Sequence, residues 1–177
     1  MQIKEAAEML KHNNGNLFKE IEQWADLGCG NGTFTLALAT LMQPESIIYA
    51  IDSNASSLAQ IPSSYHSIKI EKQKIDFVNQ NLSLKNLDGI SMANSLHYVS
   101  DKKSFIKKLI ETTKENGSFL IVEYDTEIPV SRWVPYPISF SAMKELFIEI
   151  GYTNIQKLRE RKSVYGKMMY SALIKKY

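Results

Sequence analysis

The sequence predicts an α/β fold, a doubly wound and mostly parallel sheet carrying an antiparallel strand at its C-terminal end. Two observations carry this reading. Short apolar runs of strand length alternate with amphipathic segments of helix length, as strand–helix–strand units require. The last two strand-like runs are joined by a short turn around Gly166, and a parallel crossover would need a dozen or more residues, so that pair is antiparallel.

Each element can be justified in order. Residues 3–11 (IKEAAEMLK) place Ile3, Ala6, Ala7 and Leu10 on one helical face. The stretch His12–Asn16 breaks that helix. Glu22–Leu27 ends in a short apolar strand, and the cluster Gly28-Cys29-Gly30-Asn31-Gly32 follows. Thr33–Met42 reads as an apolar helix stopped by Gln43-Pro44. Ser46–Ile51 is continuously apolar, as a strand covered on both faces should be. Asn54–Ile61 reads as a short helix ending before Pro62, and Ile68–Ile75 as a weaker strand near an edge. Gly89–Ala93 is a small strand. Asp101–Glu115 is a helix capped by Ser100 or Asp101 and stopped by Asn116-Gly117. Ser118–Glu123 is a buried strand, Asp125–Ile138 a loop rich in proline and aromatics, and Ser141–Ile150 a helix ended by Gly151. Strands at about 153–162 and 167–175 close the chain.

At 177 residues and 20.2 kDa the chain is one domain, 1–177, with a short N-terminal helical segment (1–14) and a candidate substrate loop (125–138). Hydrophobic residues at 44% and charged residues at 23% exclude a disordered chain. No apolar run is long enough to span a bilayer, and the N-terminus lacks a signal-peptide core. The lone Cys29 cannot form an internal disulfide, which fits a reducing, cytoplasmic setting. A net charge of +2 argues against a nucleic-acid binder defined by global charge. The charge is uneven, net −3 over residues 1–88 and net +5 over 89–177, with much of the excess in 157–177. That basic segment reads either as a surface for an anionic substrate or RNA, or as terminal strands kept soluble by Lys and Arg.

In such sheets ligands bind beyond the carboxyl ends of the strands, where strand order reverses. The glycine loop, Asp52 and Asp76 all fall there. Glycines at the end of the first strand permit positive φ and a close backbone approach to a ligand. A dinucleotide fingerprint begun at Gly28 would need Gly or Ala at position 33, where this chain has Thr33. Asp26 just before the glycines would repel a pyrophosphate and favour a cationic or zwitterionic group. Asp52 ends the second strand, where a carboxylate accepts from ribose hydroxyls; alternatively it caps the helix near Asn54. Asp76 and Phe77 would suit the amine and face of an adenine, or are a loop carboxylate beside a core aromatic.

The segments WADLGCGNGTFTLALA (24–39), IIYAID (47–52) and Ile75-Asp76-Phe77 resemble a class I S-adenosylmethionine-dependent methyltransferase across essentially the whole chain. The resemblance implies a Rossmann-like sheet of seven strands in the order 3-2-1-4-5-7-6 and S-adenosylmethionine as cofactor. It implies that the backbone of Gly28, Cys29, Gly30 and Gly32 passes under the methionine moiety while Asp26 holds its amino group directly or through water. It further implies that Asp52 binds ribose, Ser53 flanks adenine, Asp76 and Phe77 meet the adenine edge, and Asn94 lines the methyl-transfer site. The segment Met92–Val99, with its Leu96-His97 pair, is similar to small-molecule methyltransferases of the ubiquinone-biosynthesis type. It lacks the Asn/Asp-Pro-Pro-aromatic motif of enzymes that methylate nucleobase or glutamine nitrogens.

A sulfonium methyl is already activated, so a base is needed only when the acceptor must lose a proton. His97 is the candidate base; the alternative is a histidine packed and hydrogen-bonded beside the helix start at Asp101. Cys29 reads as a small buried filler, since nothing nearby in sequence would lower its pKa. Arg132, Trp133 and Tyr136 offer a cation and flat faces to a substrate, or belong to a surface loop pinned by Trp133. Glu123 and Tyr124 share that ambiguity. No metal is expected. The expected acceptor is a small molecule, with another subunit one way of completing its pocket. The competing readings are an NAD(P)-dependent oxidoreductase, disfavoured by Asp26 and Thr33, and a non-catalytic S-adenosylmethionine-binding subunit. An RNA-modifying enzyme rests on segment 157–177 alone.

Overall fold

In a computed structural model, which describes residues 1–12, 17–163 and 166–177, the strands form one sheet of eight. In chain order the elements are α1 (Ile3–Leu10), β1 (Gln23–Leu27), α2 (Thr33–Ala39), β2 (Ile47–Asp52), α3 (Ala55–Leu58), β3 (Ser64–Tyr65) and β4 (Ile68–Lys74). They continue with β5 (Leu87–Ala93), a 3-10 turn (Leu96–Tyr98), α4 (Lys102–Ile110), β6 (Thr113–Tyr124), α5 (Phe140–Glu149), β7 (Asn154–Lys162) and β8 (Met168–Lys175). The strand order is β3-β4-β2-β1-β5-β6-β8-β7, parallel from β4 to β6 and antiparallel at both ends. Without the two-residue β3 this is the expected order 3-2-1-4-5-7-6. The eighth strand is the addition, a small hairpin whose turn places His66 (φ +49°) and Ser67 (φ +63°) in the left-handed region.

The period of two along each strand divides the core. Trp24, Ile48, Leu120 and Val122 pack on the face covered by α1 and α2 with Leu10, Phe34 and Leu38. Ala25, Leu27, Ile90, Met92, Phe119 and Ile121 pack on the face covered by α4 and α5 with Ile106, Leu109, Met143 and Phe147. Burial on both faces is why the inner strands read as unbroken apolar runs. Gly89 is fixed by packing, because a Cβ there would sit 2.4 Å from the Trp24 ring.

Several boundaries differ from the sequence reading. The helix expected over 101–115 ends at Ile110, and Asn116-Gly117 lie inside β6. The Thr112 and Thr113 hydroxyls donate back to the carbonyls of Leu109 and Ile110, and Thr113 then pairs with Leu87. Residues 114–117 form an irregularity between that pair and Gly89–Ser118, with Lys114 reaching Asp88 at 2.7 Å. Helix α2 stops at Ala39 and α3 is a single turn capped by Asn54, whose side chain accepts from the Ser56 and Ser57 N–H groups. The expected break at 12–16 lies outside the described residues, apart from His12. Among the described residues, no helix is long and apolar enough to cross a membrane.

Candidate active site

The glycine loop leaves β1 and is held by its neighbours. The N–H groups of Gly28 and Cys29 donate to the Ile51 carbonyl at 2.8 and 3.1 Å, and Ser95 Oγ donates to the Leu27 carbonyl at 2.6 Å. Gly28, Gly30 and Gly32 have φ of +73°, +55° and +87°, the region that favours glycine. Their surroundings differ. A Cβ on Gly28 would lie 2.5 Å from Ser95 Cβ, and one on Gly32 would lie 2.7 Å from Ile61 Cγ1. A Cβ on Gly30 would meet nothing within 4 Å, so this glycine faces open space.

Asp52 braces the loop, with Oδ2 accepting from Gly30 N–H and Oδ1 from Asn54 N–H, both at 2.8 Å. It therefore does not cap α3, a role Asn54 fills. Ser53 beside it is exposed. Asp76 accepts from the Asn79 amide at 2.7 Å, which with the Val78 and Asn79 backbone holds its carboxyl below the usual range. Phe77 reaches the Gly28 position, 3.2 Å from where a Cβ would stand, and its ring packs on Phe105. Glycine loop, Asp52 and Phe77 are thus brought together.

Asp26 is sealed beneath the loop at 1% exposure. Its Oδ2 accepts from Thr35 Oγ at 2.6 Å, while Oδ1 has no partner. Burial pushes its pKa up to about 6 against the opposing pull of Thr35 and Ser91, its register neighbour on β5. Burial, with Asp26 and Asp52 nearby, drives the Cys29 thiol far above its ordinary value, so Cys29 is chemically idle filler.

Asn94 directly follows β5 at φ +55°, its N–H donating to the Val122 carbonyl at 2.8 Å and its buried Oδ1 without a partner. It stands between two cavities. One, of about 420 Å³, lies over the glycine loop and is bordered by Gly30, Met1, Glu5 and Arg161. The other, of about 650 Å³, is bordered by His97, Tyr98, Val130, Trp133, Val134 and Lys167. Asn94 and Tyr124 line both.

His97 is buried at 2% exposure, and its partner is Glu123 rather than the neighbourhood of Asp101. Nδ1 lies 2.7 Å from Glu123 Oε2, and the His97 backbone N–H donates to Glu123 Oε1 at 3.1 Å. Asp101 instead caps α4 by accepting from Ser104 N–H. Trp133 does not pin its loop to the core, being 75% exposed, but it does face the larger cavity. Arg132 and Tyr136 are exposed and do not border that cavity; Arg132 holds a left-handed turn at φ +68° and Lys102 stands over the Tyr136 ring. Nothing in the sequence singles out Tyr98 or Glu5 for the site, and Arg161 and Lys167 stand out only as members of the basic segment 157–177. Glu5 and Arg161 form an ion pair at 2.9 Å across 156 positions, and no local pattern could announce it. Among the described residues, no cluster of His, Cys, Asp and Glu could hold a metal ion.

A central parallel sheet antiparallel at both ends, with a left-handed glycine loop at β1 and a carboxylate closing β2, is the frame in which α/β proteins bind ligands across the strand ends. A family model described as "Methyltransferase domain" matches residues 19–172, and the chain belongs to that family. It is an S-adenosylmethionine-dependent methyltransferase. The open face of Gly30 and the unpartnered Asn94 Oδ1 fit that cofactor. No curated protein matches the chain. Solved structures similar in fold include a SAM-dependent methyltransferase from Thermotoga maritima (14% identity, TM-score 0.69, covering 99% of this chain and 89% of that one). Another is a SAM dependent methyltransferase from Aquifex aeolicus (16%, 0.61, 98% of each). A third is DhpI in complex with SAH (S-adenosylhomocysteine; 16%, 0.63, 85% and 75%).

Proposed function

We propose that the acceptor is a small molecule held in the 650 Å³ cavity beneath the 125–138 loop. One observation carries this: Asn94 and Tyr124 line that cavity and the glycine-loop cavity alike, so the two abut at the strand ends. A cavity of this size is in the range that encloses small ligands, about 300–1,000 Å³. Its walls are largely aromatic and apolar, which favours a flat acceptor with little charge.

The cofactor supplies a methyl group activated by its sulfonium. Gly28–Gly32 would form the bed of its methionine part, Asp52 would take the ribose hydroxyls, and Ser53, Asp76 and Phe77 would border adenine. Asp26, sealed below the loop, would act on the amino group through the loop or a water rather than by open contact. Of the three loop residues, Trp133 is the one proposed to touch the acceptor. The basic C-terminal segment gives RNA little support, since Arg161 pairs with Glu5 and Lys157 with Glu160 and Asp125. A buried free thiol suits the cytoplasm, the compartment we propose.

The test is transfer from radiolabelled S-adenosylmethionine into a fractionated cell extract. Label in the small-molecule fraction, lost in Trp133→Ala, is the expected result. Label confined to RNA or protein refutes the proposal.

A further inference from the structure

We propose that His97 and Glu123 form a proton-accepting dyad, and that the acceptor is accordingly a planar compound methylated at a weakly acidic hydroxyl. This deepens the small-molecule reading and rests on it. The starting point is a pair of unusual burials. Both side chains are almost wholly out of water, at 3% and 1% exposure. Glu123 uses both oxygens on one residue, Oε1 on the His97 backbone N–H and Oε2 on Nδ1. That grip holds the ring by two points. With Glu123 Oε2 accepting from Nδ1–H at 2.7 Å, the neutral ring carries its lone pair on Nε2, on the far side.

Nε2 has no hydrogen-bond partner, although buried ring nitrogens are nearly always paired. Among the described residues it is one of four such side-chain atoms. Two of the four, Asn94 Oδ1 and His97 Nε2, belong to residues on the wall of the larger cavity. A buried ring nitrogen without a partner, on a residue of the cavity wall, lacks a donor that an acceptor hydroxyl would supply.

The same ring is held from other sides. Tyr98 packs against it with centroids 4.4 Å apart, and Tyr136 N–H donates to the His97 carbonyl at 3.0 Å. Lys102 Nζ donates to the carbonyls of Val99 and Tyr136, tying the 125–138 loop to the histidine turn. A side chain kept merely for packing needs no such grip.

In the proposed step His97 Nε2 takes the hydroxyl proton. The O–H bond breaks with its electron pair left on oxygen, an N–H bond forms, and Glu123 neutralises the imidazolium. The oxyanion would then take the activated methyl group, a C–O bond forming as the C–S bond breaks with its electron pair left on the sulfur of S-adenosylhomocysteine. His97 touches the acceptor and is the catalytic residue; Glu123 acts through it and is a positioning residue. An acceptor that is already nucleophilic, such as a thioether, would have no use for the dyad.

The experiment uses 4-nitrophenol with the full chain and S-adenosylhomocysteine, at a pH where the free probe is mainly neutral. Binding is read from quenching of Trp133 fluorescence, taken as the difference between wild type and Trp133→Phe, whose emission comes from Trp24 in the core. Ionisation is read from the visible absorption of the phenolate. 4-Nitroanisole, which has no proton to give, is the comparison probe. Wild type is expected to bind both and to show the phenolate band with nitrophenol. His97→Gln should bind both and lose the band. Glu123→Gln presents an amide donor to Nδ1, so nitrogen-detected NMR should show the proton moved to Nε2, and the band should vanish. Labelled methyl transfer should fall by about 10²–10⁴-fold in either variant. Rescue by Glu123→Asp, in part or whole, supports positioning. Binding of both probes without the phenolate band overturns the dyad and spares the small-molecule reading. Failure of both probes to quench Trp133 overturns both. An unchanged tautomer in Glu123→Gln overturns the role of Glu123.

Discussion

Gly30→Ala separates the demands of the backbone from those of the cofactor. The residue sits at φ +55°, where an L-residue costs about 1–2 kcal/mol. Alanine also loses less entropy on folding than glycine, an offset of roughly 0.4–1 kcal/mol. Since the new Cβ would meet nothing within 4 Å, packing adds no further cost. The net loss is about 1 kcal/mol, a Tm decrease of about 2–4 °C for a chain of this size. That methyl occupies the space over the loop where the cofactor would lie. Calorimetric titration with S-adenosylhomocysteine should therefore show an affinity loss of at least about tenfold, roughly 1.4 kcal/mol. Gly28→Ala is the contrasting variant. Its strain is similar at φ +73°, but its Cβ would stand 2.5 Å from Ser95 Cβ. Overpacking adds about 1–3 kcal/mol, so its Tm should fall clearly further. Unaltered S-adenosylhomocysteine affinity in a folded Gly30→Ala would refute the placement of the cofactor.

Three other outcomes follow from the site. Asp26 has its carboxyl raised to about 6 by burial, so the folded chain holds that proton more tightly than the unfolded chain. Its contribution is greatest below about pH 4 and is lost as pH rises through about 6, worth about 3 kcal/mol in all. Urea unfolding at pH 4 and pH 7 should show Asp26→Asn gaining on wild type by an amount of that order, and parallel pH curves would contradict it. Asp52→Ala removes the acceptor for two backbone N–H groups, which should cost about 1–3 kcal/mol and weaken S-adenosylhomocysteine at least about tenfold. Trp133→Ala, at a residue 75% exposed, should change stability by less than about 0.5 kcal/mol. It should raise the acceptor KM while leaving S-adenosylhomocysteine affinity alone; a change in the latter alone would remove Trp133 from the acceptor cavity.

Much of the fold was legible because its inner strands are covered on both faces. Runs such as IIYAID and SFLIVE have no other comfortable state in a chain of this size. The errors fall where a distant partner outweighs a local signal. Over 101–115 the amphipathic pattern and the Asn-Gly stop argue for a long helix. The pairing of Thr113 with Leu87 claims the chain for the sheet several residues sooner. The β3 hairpin escaped notice because its turn uses His66 and Ser67 at positive φ, with no glycine or asparagine to mark it.

The two halves of the site differed in legibility for the same reason. The proposed cofactor side is made of backbone and strand-end carboxylates, and both are written in short contiguous motifs. The proposed acceptor side draws on the cavity-lining residues His97, Tyr124, Trp133 and Lys167, from four separate segments. His97 shows how the missing step works. Read along the chain, its nearest carboxylate is Asp101, four residues on. Read across the sheet, the parallel register of Ala93 with Val122 puts Glu123 at the next strand end, directly beside the turn that carries His97. Register is a property of two strands at once, so the histidine's partner becomes visible only when β5 and β6 are laid side by side. The same holds for Arg161, whose bond to Glu5 brings the first helix to the rim of the glycine-loop cavity. The basic C-terminal segment, an undirected surplus of charge in the sequence, is thereby tied through one of its arginines to the rim of the glycine-loop cavity.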